Sequence, residues 1–495
     1  MINASVMVPL SVFNINFLSE NLLLLFAVML FTAVVVVKAG GKLGAPSLLL
    51  FLLLGMIAGR DVIGLRIGDL HLVESLGHFA MSVILFTAGL ETSFREIKPV
   101  LKQGIMLSTL GVIITVIITG LFLSLFGIPL LGSLLIAAIM GSTDSASVFS
   151  VLKEKKLRLK GNLGPLLELE SGSNDPIALT LTVILVQIYS TDGLMEKGFW
   201  AMAGSGALML LLQLGVGLLI GVLVGYGGKW AIEKLQSSNF ALTAIMVLSV
   251  GFFANGAAKI LSGNGLLATY VAAIIIGNNV QLVSRKDVYK FFDGITWLME
   301  LVMFMMLGLH AQPSQMGHAI LPALGLCLFM ILVSRPLSVF LCLLPFKDIS
   351  VREKAFVSWV GLKGAGPILF AMYAMVHGMP YSEDIFNLVF LLSLFSLLLQ
   401  GGTLSFVAKK LHLSYEEAPA AETFGMEIPE EMGEMRDHVV TAEDLSGGVT
   451  LREQHLPHGI RVMMVRRGDK FLVPHGSMEL KEDDHLIIIL GESDD

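Results

Sequence analysis

Long apolar runs recur through the first 410 residues, separated by short charged segments. A helix needs about 20 apolar residues to cross a bilayer, fewer when it packs among others. The runs predict thirteen spans, at roughly 21–38, 45–59, 75–94, 103–127, 129–152, 163–190, 200–226, 240–260, 264–279, 290–310, 317–345, 353–375 and 382–408. Two of them are interrupted. Span 5 carries Gly141-Ser-Thr-Asp-Ser-Ala-Ser147, and span 12 carries Gly361-Leu-Lys-Gly-Ala-Gly-Pro367. Such residues free backbone groups at membrane depth, which is tolerable only beside a protein-lined cavity. The two spans lie seven apart, so they run in opposite directions. Interrupted helices at matching places in inverted repeats mark secondary transporters. Spans 1–6 and 8–13 would be the repeats, with span 7 between them.

Composition sharpens this picture. Hydrophobic residues make up 55% of the 495 and charged ones 15%, against about 25% charged in a soluble domain. That excludes an ordinary soluble enzyme, a disordered chain and a fibrous one. The two cysteines, Cys327 and Cys342, sit in apolar runs and read as small buried hydrophobes. The net charge of −7 divides unevenly: 26 Lys+Arg against 21 Asp+Glu up to residue 410, then 7 against 19. With the N-terminus outside, 20 basic residues fall on the inner loops and 4 (Arg60, Arg66, Lys197, Lys259) on the outer side. The positive-inside rule then favours an odd number of spans and a cytoplasmic tail. The acidic tail argues against nucleic acid as a partner.

The tail is a different kind of chain. Residues 1–410 read as the membrane domain, 411–433 as a linker and 434–495 as a small α+β domain. Ile460–Arg466 and Phe471–Val473 flank a hairpin turn, His485–Leu490 is a further strand, and Val449–Leu456 reads as a helix. The fold class is thus an all-α polytopic membrane protein followed by a small cytoplasmic α+β module.

The chemistry concentrates in buried charge. A charge at mid-span costs roughly 2.5–3.5 kcal/mol on insertion scales, so those kept are paired or functional. Span 6 reads Glu168-Leu-Glu-Ser-Gly-Ser-Asn-Asp175. On a helix Ser171 and Asp175 share a face, while Glu170 and Asn174 form a second stripe. Arg335, alone in span 11, is a natural partner for Glu170. Thr143 and Asp144 sit at the break of span 5. Hard cations bind oxygens, and Thr143, Asp144, Ser171 and Asp175 supply a set of them for K⁺ or Na⁺. Lys363, at the break of span 12, would share the field of the half-helix ends with the bound ion. A carboxylate can hold a proton or a cation, not both; with alternating access, that competition is antiport. Glu168 divides evenly between a cation funnel and a solvated helix end. Glu300 reads as a structural, hydrogen-bonded acid.

Taken together, Thr143-Asp144, Glu170-Ser-Gly-Ser-Asn-Asp175, Arg335 and Gly361-Leu-Lys-Gly364 resemble the monovalent cation:proton antiporters of the NhaP type. The resemblance covers roughly 20–410. It implies that Asp175 binds cation and proton, that Asn174 lies beside it, and that Glu170 pairs with Arg335. An Asn-Asp pair implies electroneutral one-for-one exchange, and the family implies a homodimer in a bacterial inner membrane. Many members carry Arg where Lys363 stands. The tail pattern, Gly459-Ile-Arg-Val462, Val473-Pro474 and Asp484-His-Leu-Ile-Ile488 among it, resembles the RCK-C (TrkA-C) domain, which binds small ligands such as nucleotides. The combination resembles the CvrA-type potassium/proton antiporters. The expectation is a transporter, not an enzyme, exchanging K⁺, or else Na⁺ or NH₄⁺, for H⁺, with no cofactor beyond a regulatory nucleotide at the tail. Two alternatives stay open. One is a gated K⁺ channel, which the missing Thr-Val-Gly-Tyr-Gly filter disfavours. The other is an intramembrane aspartyl protease using Asp144 and Asp175 as a dyad.

Overall fold

The structure, a computed structural model, describes residues 22–40, 47–65, 69–155, 157–190, 199–235, 239–282, 285–416, 435–440, 450–452, 460–467, 470–482 and 484–490. The chain divides into two compact units, Met1–Tyr415 and Glu416–Asp495.

The first unit is helical. Its helices are α1 (Leu22–Gly40), α2 (Ser47–Ala58), α3 (Leu70–Glu91), α4 (Phe94–Ser124), α5 (Leu130–Ile139), α6 (Ser145–Glu154), α7 (Leu163–Ser190) and α8 (Phe199–Lys234). They continue as α9 (Phe240–Ile260), α10 (Gly265–Asn279), α11 (Arg285–His310), α12 (Gly317–Leu343), α13 (Val351–Trp359), α14 (Ala365–Val376) and α15 (Ser382–Lys410). Among the described residues, seven helical segments are long and apolar enough to cross a membrane. Shorter apolar helices, α2, α5, α10 and α14 among them, pack between these. Each apolar run of the sequence contains one helix, except the two interrupted runs, which contain the pairs α5–α6 and α13–α14.

Three of the long helices loosen into a π-turn partway along: Leu107–Gly111 in α4, Met330–Ser334 in α12 and Leu397–Gly401 in α15. Apolar periodicity does not register such a single extra residue. The first two pack together: Ser338 Oγ donates to Gly111 O at 2.6 Å, and Ser334 Oγ lies 2.9 Å from Thr119 Oγ1. The second π-turn delivers Arg335 at its end. π-turns inside helices are frequent at functional sites.

α11 crosses α2 at close range because both contribute glycine there. A Cβ on Gly55 would strike the Met305 carbonyl, and one on Gly308 would strike that of Leu52. This crossing fixes the stretch of α11 that carries Glu300. α8 is little buried, with Leu211, Leu219, Leu223 and Tyr226 exposed, the surface expected of a helix facing lipid.

The stretch read as a linker begins later than its composition indicates. Ser414–Glu416 forms a strand, β2, beside β1 (Leu157–Leu159), and Lys160 N–H donates to Leu413 O at 2.8 Å. The rest of that stretch, 417–433, lies outside the described residues.

The second unit contains β3 (Met435–Val439), β4 (Ile460–Arg467), β5 (Lys470–Leu472) and β6 (His485–Leu490). They form one antiparallel sheet in the order β3-β6-β4-β5, with Val440, Val465, Leu480 and Leu486 buried against it. The helix expected at Val449–Leu456 is not there in the part described: Thr450 bridges to Glu479 and Leu451–Arg452 form a turn. Extended pairing satisfies the Thr450 backbone, and a helix starting at that point would not. Pairing of Arg466 with His485 brings Arg467 beside Asp484. Arg467 donates from Nε at 2.8 Å and from Nη2 at 2.6 Å, and Lys481 N–H adds a third bond at 2.8 Å. Burial alone would raise the Asp484 pKa; these donors outweigh it and hold the carboxyl below the usual range.

Candidate functional site

Both interrupted runs break at one place. The Asp144 N–H donates to Leu362 O at 2.9 Å, joining the α5–α6 break to the α13–α14 break. Four half-helix ends meet there, and each leaves backbone groups that need partners at membrane depth.

The first break is closed by α7. Ser171 Oγ donates to Thr143 O at 2.7 Å and accepts from Ser145 N–H at 2.9 Å. Asn174 Nδ2 donates to Thr143 Oγ1 at 2.5 Å, and its Oδ1 accepts from Thr143 N–H at 3.3 Å. Asp144 is the N-cap of α6, accepting from Ser147 N–H at 3.1 Å and Ser147 Oγ at 2.5 Å. The second break is closed by α15. Ser396 Oγ accepts from Lys363 N–H at 3.0 Å and donates to Gln400, whose Nε2 donates to Trp359 O at 2.7 Å. Lys363 Nζ donates to Ser142 O at 2.7 Å, putting a cation at the carbonyl end of α5. The carboxylate of Asp144 lies where a Cβ on Gly364 would be, so α14 can begin there only with glycine.

Between these elements lies a cavity of about 50 Å³. Ser142, Thr143 and Asp144 line it from the first break, Asp175 from α7, Gly364–Pro367 from the second break, and Glu300 from α11. The Ser142 hydroxyl lies against the Asp175 carboxylate. Pro176 follows Asp175 inside α7, so the Gly172 carbonyl lacks its helical donor. Asn264 steadies this turn, donating from Nδ2 to Pro176 O at 2.8 Å and Thr180 Oγ1 at 2.7 Å.

The oxygen set is therefore arranged differently from the sequence reading. Thr143, Asp144 and Asp175 line the cavity. Ser171 and Asn174 do not; the broken helix needs their side chains for its own backbone and for Thr143. Glu300 is not the hydrogen-bonded acid expected of it. It lines the cavity, and none of the described residues donates a hydrogen bond to it. Ser142, Ser396, Gln400 and Asn264 were missed. For Ser396 and Gln400 a signal existed, two polar residues four apart in an apolar run.

Glu170 and Arg335 meet away from this cavity. Arg335 Nη2 is 2.5 Å from Glu170 Oε1, both side chains are buried, and the Gly361 backbone packs on the guanidinium. Glu168 lies on α7 two turns before Asp175, half-buried and within reach of the Glu96 charge.

An inverted pair of broken helices around buried carboxylates defines a secondary transporter, and the comparisons identify its family. The sodium/hydrogen exchanger transmembrane family matches residues 26–410, and the TrkA-C domain matches residues 436–494. The chain belongs to the sodium/hydrogen exchanger family: it is a multi-pass cation/proton antiporter, not a channel, a protease or any other enzyme. Among its relatives, the K(+)/H(+) antiporter NhaP2 of Shewanella oneidensis is 36% identical over 96% of this chain and 81% of its own. The K(+)/H(+) antiporter NhaP of Alkalimonas amylolytica is 32% identical over 92% of this chain and 75% of its own. The solved sodium proton antiporter MjNhaP1 of Methanocaldococcus jannaschii shares the fold, with a TM-score of 0.68 and 22% identity over 80% of this chain and 99% of that one.

Proposed function

We propose that this antiporter exchanges K⁺ for H⁺ one for one, with cation and proton competing for Asp175. The observation that carries the reading is the convergence of Asp175 and Asp144 on one cavity at the crossing of two broken helices. Half-helices that meet at a point, not along a face, can rock as units while the site stays between them. The Asp175 carboxylate loses its negative charge equally to one proton or one K⁺. Its neighbour Asn174 is neutral, so the exchange leaves net charge unchanged. Asp144, held by the N-terminus of α6, adds oxygen to the cavity and lowers the cost of bringing a cation there. Lys363 balances the carbonyl end of α5, and Glu170–Arg335 is a structural pair that orients α7 against α12.

Relatives at 32–36% identity named K(+)/H(+) antiporters favour K⁺ over Na⁺ and NH₄⁺. The same reading places the protein in a bacterial inner membrane as a homodimer, with the chain between β2 and β3 linking the membrane domain to a cytoplasmic regulatory module that takes a small nucleotide. Exchange in proteoliposomes with a pH-sensitive dye, titrating K⁺, Na⁺, Li⁺ and NH₄⁺ separately, tests the proposal. K⁺ should be the cation with the highest kcat/KM, and an equal response to all four would contradict it.

A further inference from the structure

We propose that Glu300 is a third acid of the transport site, a positioning residue whose negative charge sets how tightly Asp175 holds both cation and proton. The inference rests on Asp175 being the exchange site and goes beyond it by assigning a residue on a different helix.

Three observations carry it. Glu300 lines the same cavity of about 50 Å³ as Asp144 and Asp175, although it comes from α11. No described residue hydrogen-bonds its carboxylate, so it is not a structural acid held by a donor. An unpartnered carboxyl inside a membrane bundle is expensive unless something visits it. Finally, the glycine crossing of α11 on α2 fixes this stretch of α11 against the cavity.

The charged surroundings are simple. Asp144 faces the cavity from the first break and Asp175 from α7. α2 and α3 contribute Leu48, Met81, Ile84 and Leu85, and α14 contributes Gly364–Pro367, none of them ionisable. Lys363 directs its ammonium to Ser142 O. Among the described residues the acids do not close into a tight group that could hold a metal ion between them. Glu300 acts through its charge on the cavity that it shares with Asp144 and Asp175. Charges that share a cavity interact strongly where water is scarce. An ionised Glu300 attracts K⁺ to Asp175 and equally makes Asp175 harder to deprotonate. Removing it should weaken both competitors.

Full-length wild type, Glu300→Gln and Glu300→Asp are compared in proteoliposomes over a range of pH and K⁺ concentration. Glu300→Gln should raise the KM for K⁺ about tenfold, roughly the effect of losing one charge-assisted contact. Its half-activity pH should move down, because protons compete less well, and kcat at saturating K⁺ should change much less. Glu300→Asp keeps the charge but withdraws it by one methylene, so both shifts should have the same sign as in Glu300→Gln and be smaller. A folded Glu300→Gln variant with wild-type KM and pH profile overturns the proposal. If Glu300→Gln does not fold, Glu300→Asp decides. Its carboxylate is one methylene further from Asp175, so KM should rise severalfold; a wild-type KM and pH profile would leave Glu300 a structural acid. An Asp175→Ala control separates the two readings: exchange surviving there sinks the role of Asp175 itself, whatever Glu300 does.

Discussion

At the scale of single residues, the buried charges divide into those that hold the fold and those that face the cavity. Glu170 and Arg335 belong to the first kind. Breaking a buried pair by removing one partner costs roughly 3–5 kcal/mol, while removing both together costs far less. Glu170→Gln and Arg335→Gln should each lower the thermal midpoint in detergent, and the double variant should recover part of the loss. Additive losses would show that the two do not interact. In the tail, Asp484 is held below the usual carboxyl range by Arg467 and the Lys481 amide, against the pull of its own burial. A depressed folded pKa contributes stability above the unfolded value of about 3.9 and loses it as pH falls through the folded value. Asp484→Asn should therefore speed hydrogen exchange of β6 amides near about pH 6, and the difference from wild type should shrink as pH falls below about 3.9. A difference that persists undiminished in acid would contradict the pairing.

At the scale of elements, the breaks dictate which residues are available for chemistry. Their positions were legible, because Gly, Ser, Thr and Pro inside apolar runs stand out against the rest of the span. Asp175, Asp144 and the Glu170–Arg335 pair were legible for a related reason, the cost of unpaired charge in hydrocarbon. What periodicity could not give was the division of labour around the break. Whether Ser171 faces an ion or a backbone carbonyl depends on a rotation of α7 that helical spacing alone leaves open. The π-turns were invisible because one extra residue barely alters an apolar run. Glu300 was misjudged because its spacing says nothing about which cavity it faces; only the α2–α11 crossing does. The start of the linker was misjudged because Ser414–Glu416 looks polar but pairs as a strand. The crossing itself is testable through Gly364, whose missing Cβ makes room for the Asp144 carboxylate. Gly364→Ala should cut exchange by about a hundredfold, the effect expected when a site is displaced by an ångström, while the protein still purifies folded. Wild-type exchange in that variant would mean that the two breaks do not need this approach.

At the scale of the molecule, the described residues that line the proposed transport cavity all belong to the membrane unit. Truncation after Glu416 keeps β2 beside β1 and should leave K⁺/H⁺ exchange measurable. Its pH response or nucleotide sensitivity should shift by no more than about 5–150-fold, the usual range of coupling between sites. Loss of all exchange in a folded truncated protein would make the tail part of the transport machinery. The central claim is narrower: one carboxylate, Asp175, takes the cation and the proton in turn. It is tested most directly by Asp175→Ala in proteoliposomes, assayed with K⁺, Na⁺, Li⁺ and NH₄⁺ across pH beside the wild type. The account predicts a folded protein with no cation-driven proton movement for any of the four; wild-type rates with any one of them would contradict it.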